Sequence, residues 1–130
     1  MRVITFGTFD IFHVGHLHIL ERAKALGSLL IVGVSSDQLN FDKKGRYPVY
    51  PEHERVRIIQ AMNVVDEVFV EHSLAQKRAY LTRYQADILV MGDDWKGKFD
   101  EFNDICQVVY LTRTPSISTT EVIEIVKNIK

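Results

Sequence analysis

A chain of 130 residues, 46% apolar and 25% charged, is long enough to bury a core and has the profile of an ordinary globular domain. Its formal net charge of -1 excludes a general attraction to nucleic acid or to an anionic membrane, so any anion must be held by local clusters. The single Cys106 excludes an intramolecular disulfide framework and suits a reducing compartment; it reads as a packing residue rather than a nucleophile. The opening MRVITFGTFD lacks the apolar core of a signal peptide, and no run approaches the ~18 apolar residues of a membrane helix. The expectation is one cytoplasmic domain over residues 1–130, with neither nucleic acid nor membrane as partner.

The first apolar run, RVITF (2–6), reads as a strand. HVGHLHILERAKALG (13–27) follows as a helix, with Leu17, Leu20 and Ala23 at helical spacing and Gly27 as its C-terminal cap. LLIVGV (29–34) is a second strand, and the basic DKKGRYP (42–48) reads as a loop. PEHERVRIIQAM starts a helix at Pro51, with early glutamates at its positive end. EVFV (67–70), DILVMG (87–92) and QVVYL (107–111) complete the strands, and LAQKRAYLTRY (74–84) is a helix between the first two of them. In STTEVIEIVKNI (118–129), Ser118 with Glu121 three residues later makes a capping box. Val122, Ile125, Val126 and Ile129 then form one apolar stripe. Nearly continuous apolar strands alternating with helices predict an α/β fold: an open, parallel, five-stranded sheet with helices on both faces. Such sheets bind ligands at the carboxyl ends of their strands, and each unusual motif of this chain directly follows a predicted strand.

GTFDIFHVGH (7–16) is the most concentrated of these motifs. Two histidines three apart suit a zinc site, an acid/base pair or a cradle for phosphate. Zinc needs a third ligand, and neither a cysteine pair nor a His-Glu-x-x-His pattern is present. Gly7 lets main-chain amides approach a ligand, and His13 and His16 share one face of a first helical turn, where free amides and the helix dipole favour an anion. The pair therefore reads as phosphate-binding, whereas His18, His53 and His72 lack such context and read as surface residues. RTPSISTT (113–120) combines the fork of Arg113 with a run of hydroxyls and a helix start, a second set of groups suited to phosphate. GDDWKGKFD (92–100) places Asp93, Asp94 and Trp95 at a strand end, to bind a base, a metal or a neighbouring loop, or simply as a solvated acidic turn. Lys43, Lys44 and Arg46 are either solvated charges or the neutralising cover of a polyanion. Neither a Walker A pattern nor a dinucleotide glycine fingerprint is present.

Taken together, GTFDIFHVGH with its His-x-Gly-His, VMGDDWKGKFD and RTPSISTT, extended by VVDEV and ERAKALG, resemble the cytidylyltransferase family over essentially the whole chain. The resemblance implies a Rossmann-like nucleotidyltransferase fold with CTP across the carboxyl edge of the sheet, Mg²⁺ carried with the triphosphate, and no metal ligands from the protein. It implies that Thr8 and Phe9 contact the triphosphate, that His13 and His16 hold its phosphates, and that Asp94 lies near the nucleotide. Arg113, Thr114, Pro115, Ser116, Ile117, Ser118, Thr119 and Thr120 would wrap the nucleotide, with Lys44 or Arg46 on the triphosphate. Lys43 and Lys77 match positions serving the incoming phosphate substrate, and Arg55 matches a functionally important position counted here with them. The implied reaction joins CTP to glycerol 3-phosphate, giving CDP-glycerol for a teichoic-acid-type or capsular polymer, in a homodimeric enzyme. Other acceptors of the same fold are phosphoethanolamine, phosphocholine, flavin mononucleotide and other polyol phosphates, and a nucleotide-binding module without turnover is the non-enzymatic alternative. The chain departs from the family at Asn63, Leu74 and Pro115-Ser116, changes that bear on the second substrate more than on CTP.

Overall fold

The computed structural model describes residues 1–112 and 118–129. Five strands, β1 (Arg2–Gly7), β2 (Leu29–Ser35), β3 (Glu67–Glu71), β4 (Ile88–Gly92) and β5 (Gln107–Leu111), form one sheet in the order β3-β2-β1-β4-β5. Every pairing is parallel, from Arg2 opposite Leu29 to Gly92 opposite Leu111. The chain leaves β1 toward β2 and β3 on one side, then returns to lay β4 on the other. That reversal opens a crevice beyond the carboxyl end of β1.

Alternate residues of the strands supply two cores, one on each face. Val3, Leu30, Val32 and Val34 pack with Leu20, Ala23 and Ile59, which come from the helices α1 (Val14–Lys24) and α3 (Glu52–Gln60). Ile4, Phe6, Ile31 and Leu89 pack on the opposite face with Tyr80 and Leu81 of α4 (Lys77–Arg83). Both faces are covered, which is why the strands read as continuous apolar runs rather than alternating ones. Asp66, in the VVDEV segment, accepts from the backbone N–H of Leu30 and pairs with Lys24, pinning the end of α1 to the start of β2. Cys106 packs against the second core, its thiol donating to the Phe102 carbonyl at 3.6 Å, and burial pushes its pKa up. No helix among the described residues is long and apolar enough to cross a membrane.

Several local expectations are corrected. α1 ends at Lys24 with Ala25 as its cap, and Gly27 lies beyond it. A Cβ on Gly27 would stand 2.5 Å from the Met1 carbonyl, so its role is close approach to the start of β1. Lys43 and Lys44, read as loop residues, end a further helix, α2 (Asp37–Lys44), closed by Gly45 at φ 73°. Ser36 caps α2 by accepting from Leu39 N at 3.0 Å. The sequence around it carries only Leu39 and Phe41 as large apolar residues, too few to show a helical period. The 74–84 segment begins as a 3₁₀ turn at Leu74–Gln76 before α4. His18 is partly covered, with its Nδ1 buried, rather than a surface residue. The last helix, α5 (Thr119–Lys127), is capped by Ser118 as expected, but three of the four stripe residues are open: Ile125, Val126 and Ile129 are 54%, 61% and 70% exposed, while Val122 is partly buried.

Candidate active site

The loop between β1 and α1 is built around Asp10. Its carboxylate accepts from Ile11 N at 3.1 Å, Val49 N at 2.7 Å and Tyr50 N at 2.9 Å, and its carbonyl accepts from Thr119 Oγ1 at 2.9 Å. One residue thus ties the first loop to the α2–α3 connection and to the start of α5. The flanking Phe9 and Ile11 adopt φ of 54° and 45°. Such conformations cost on the order of 1–3 kcal/mol for residues with side chains and persist where the surroundings enforce them. A Cβ on Gly7 would come 2.8 Å from the Phe9 ring, so the glycine is what lets that buried ring turn under the end of β1.

The two histidines cap the helix they precede. His13 Nδ1 accepts from Gly15 N at 3.0 Å, and His16 Nδ1 accepts from His13 N at 3.2 Å, a capping box made of imidazoles. Their rings stack with centroids 3.9 Å apart. An imidazole that accepts at Nδ1 in its neutral form carries its proton at Nε2, so each ring is a fixed donor at its far nitrogen. Burial, then the adjacent His13, pull the pKa of His16 from 6.5 to about 4, against a weaker opposing effect of Asp10. His16 is therefore neutral at pH 7. The first turn of α1 contains no acidic side chain, leaving its amides and dipole for an anion.

This depressed pKa has a consequence for stability. Between pH 6.5 and about 4 the unfolded chain binds a proton at His16 that the folded chain refuses, so this contribution to stability falls as pH is lowered through that window. Urea midpoints measured from pH 7 to pH 4 are expected to decline, and His16→Ala is expected to lack that part of the decline. Parallel curves for the two proteins would contradict it.

At the neighbouring strand ends, Glu71 of β3 and Lys77 of α4 form a buried ion pair at 3.0 Å. Lys77 Nζ lies 4.0 Å from the centroid of the Phe6 ring. Burial lowers the pKa of Lys77, and Glu71 acts against that. Lys43 Nζ approaches Ser35 Oγ at 3.4 Å. Thr8 Oγ1 donates to Asn40 Oδ1 at 3.0 Å, and Asn40 Nδ2 donates to the Arg46 carbonyl at 3.3 Å.

One cavity of about 750 Å³ unites these groups, within the range of small-molecule sites. Thr8, Phe9, His13 and His16 line it from the first loop and helix, and Lys43, Lys44 and Arg46 from α2 and the turn after it. Lys77 and Asp94 line it from the β3 and β4 ends, and Ser118, Thr119 and Thr120 from the start of α5. A Cβ on Gly92 would stand 2.7 Å from Asp94 Oδ1, so that glycine admits the carboxylate at the rim. Arg113, Thr114, Pro115, Ser116 and Ile117 lie outside the described residues.

Arg55, which the resemblance counts with the substrate-binding residues, has a fully buried side chain and is not part of the cavity lining. Its guanidinium donates to the carbonyls of Thr8 at 2.9 Å, Ser35 at 2.8 Å and Tyr50 at 2.9 Å, and to Asp37 Oδ1 at 2.7 Å. It holds three wall segments together from behind. Sequence reasoning missed Asp10, Asn40 and Glu71 as site residues. Glu71 was within reach of the rule that ligands gather at strand carboxyl ends, since it immediately follows the predicted strand 67–70.

Comparison with known proteins places this geometry. The cytidylyltransferase-like family model matches residues 4–125. Glycerol-3-phosphate cytidylyltransferase of Bacillus subtilis strain 168 is 48% identical over 124 residues, covering 95% of each chain. The enzyme of the same name from Bacillus spizizenii strain W23 is 46% identical over 121 residues, covering 93% of each. Among solved structures, the lipopolysaccharide core biosynthesis protein from Thermoplasma volcanium GSS1 superposes with a TM-score of 0.77 at 28% identity, over 88% of this chain and 98% of that one. A five-stranded parallel sheet in the order 3-2-1-4-5, a helix-capping histidine pair at the crevice and relatives of this identity lead to one conclusion: the chain belongs to the cytidylyltransferase-like family.

Proposed function

We propose that the protein transfers the cytidylyl group of CTP to glycerol 3-phosphate, forming CDP-glycerol and releasing pyrophosphate. The observation that carries the reading is one cavity with two cationic or donor-rich places: the paired imidazoles at the α1 N-terminus, and Lys43 at the β2 end, next to the Glu71–Lys77 pair. Two anions held in one cavity is what a transfer between two phosphate compounds requires. The relatives of 46–48% identity supply the choice of substrates.

In the proposed reaction an oxygen of the acceptor phosphate forms a bond to the α-phosphorus of CTP. The bond from that phosphorus to its bridging oxygen breaks, and the electron pair leaves with pyrophosphate. A phosphate dianion is already a nucleophile, so the side chains act by alignment and by offsetting charge rather than as a strong base. His13 and His16 donate from Nε2 to phosphate oxygens of CTP, with Thr8, Phe9 and the first α1 amides beside them. Lys44, Arg46 and Ser118, Thr119 and Thr120 face the nucleotide, Asp94 lies beside it, and Lys43 and Lys77 face the acceptor. Arg55 serves by keeping the Thr8, Ser35 and Tyr50 backbones in place. Among the described residues no three His, Cys, Asp or Glu side chains gather to hold an ion. Mg²⁺ would be carried with the triphosphate and would offset its negative charge. The proposal extends to a homodimer acting in the cytoplasm.

The test is pyrophosphate release with CTP or ATP against a panel of phosphorylated polyols and alcohols, with the product identified by mass. CTP with glycerol 3-phosphate is expected to be the most efficient pair. CTP binding by calorimetry with no pyrophosphate from any acceptor would establish a non-catalytic nucleotide-binding module instead.

A further inference from the structure

Glu71 is the only buried carboxylate among the described residues, 1% exposed, and it lines the cavity. Its position is fixed on both sides: its carbonyl accepts from Ser36 N at 2.8 Å, and the next amide, His72 N, donates to the Tyr80 hydroxyl at 3.1 Å. A buried ion pair is a poor source of stability, because removing both charges from water offsets most of their attraction. An apolar pair of similar volume would hold β3 to α4 at least as well. The presence of the Glu71–Lys77 pair in the lining of a cavity therefore asks for a ligand.

The charges say which part of the ligand. Paired with Glu71, Lys77 offers no net positive charge to the acceptor's phosphate dianion, so that end is drawn to Lys43 and the N-terminus of α1, where it must be to meet CTP. The other end of the acceptor then faces the Glu71–Lys77 pair. Lys77, held over Phe6 at 4.0 Å and near Phe99 at 5.0 Å, disfavours an ammonium there. A neutral hydroxyl suits both partners, donating to the carboxylate and accepting from the lysine. A carboxylate has about four acceptor positions, and a single ammonium at 3.0 Å leaves the rest for hydroxyl groups. We propose that Glu71 is a specificity-determining residue that reads the hydroxyl-bearing end of the acceptor, selecting phosphorylated polyols over unhydroxylated and amino-alcohol phosphates. This rests on the transferase reading given above.

The experiment compares glycerol 3-phosphate, n-propyl phosphate and phosphoethanolamine as acceptors with saturating CTP, for the wild type and Glu71→Gln. The wild type is expected to favour glycerol 3-phosphate by about tenfold or more in kcat/KM over each of the others, the scale on which unpaired polar groups in a site are penalised. In Glu71→Gln that preference is expected to fall to threefold or less, while CTP affinity measured by calorimetry stays within twofold. Equal losses on all three esters would reduce Glu71 to a support for Lys77 and overturn the proposal, as would an unaltered preference. A wild type indifferent to the acceptor's hydroxyls overturns it without any variant, so poor folding of Glu71→Gln cannot shelter it. A wild type that binds CTP but releases no pyrophosphate with any ester is a different result: it removes the transferase reading, and this one with it.

Discussion

His16→Ala is expected to lower turnover by ~10²-fold or more, the loss seen when a fixed transition-state donor is removed. The size follows from what the ring does twice. In the proposed reaction its Nε2–H is one donor to the phosphate oxygens, and its Nδ1 accepts from His13 N at 3.2 Å while its face stacks on His13 at 3.9 Å. Alanine removes the donor and also the ring against which His13 stacks. The helix itself survives, because His13 Nδ1 still accepts from Gly15 N, and loss of one capping contact costs about 1 kcal/mol. Pyrophosphate release at saturating CTP and acceptor, with circular dichroism to verify folding, checks this. Turnover within threefold of wild type in a folded His16→Ala would reject the proposed role. Because the two rings act as a unit, the double variant with His13→Ala is expected to lose little more than the single one.

Arg55→Ala is expected to do a different kind of damage, destabilising the protein by about 3–5 kcal/mol and lowering the melting temperature by about 10 °C or more. The side chain is fully buried, and its loss takes the guanidinium donors from the carbonyls of Thr8, Ser35 and Tyr50 and from Asp37 Oδ1. Arg55→Lys is not expected to rescue it, since one ammonium cannot span four acceptors that a planar guanidinium reaches from one place. Thermal unfolding and CTP titration on the same samples separate the possibilities. A residue that touches substrate would lose affinity at unchanged melting temperature; the buried position predicts that stability and affinity fall together.

The contrast between these two arginine and histidine sites shows where sequence reading has its reach. His13 and His16 were legible because their function is local: three residues apart, after a strand and at a helix start, they define their own geometry. Arg55 was legible as important only through a family resemblance. Nothing in PEHERVRIIQAM distinguishes a guanidinium that meets substrate from one that clamps Thr8, 47 residues away, to Tyr50, five residues away. Glu71 has the same character. In EVFVE it reads as an ordinary strand end, and only the packing of α4 sets Lys77 against it at 3.0 Å.

The positions and parallel type of the strands, four of the five α-helices among the described residues and the placement of the unusual motifs after strands follow from the chain alone. They depend on period, capping and turn chemistry, which act between residues a few positions apart. Tertiary structure decided the rest. It made α2 a helix despite a weak pattern, left Ile125 and Val126 of α5 and Ile129 beyond it exposed, sent Arg55 behind the wall and gathered Asp10, Glu71, Lys77 and Thr119 around one cavity. Those outcomes turn on which charges are desolvated together and which backbone groups find partners across tens of residues. No local window of the sequence contains that information, because burial is a property of the assembled fold.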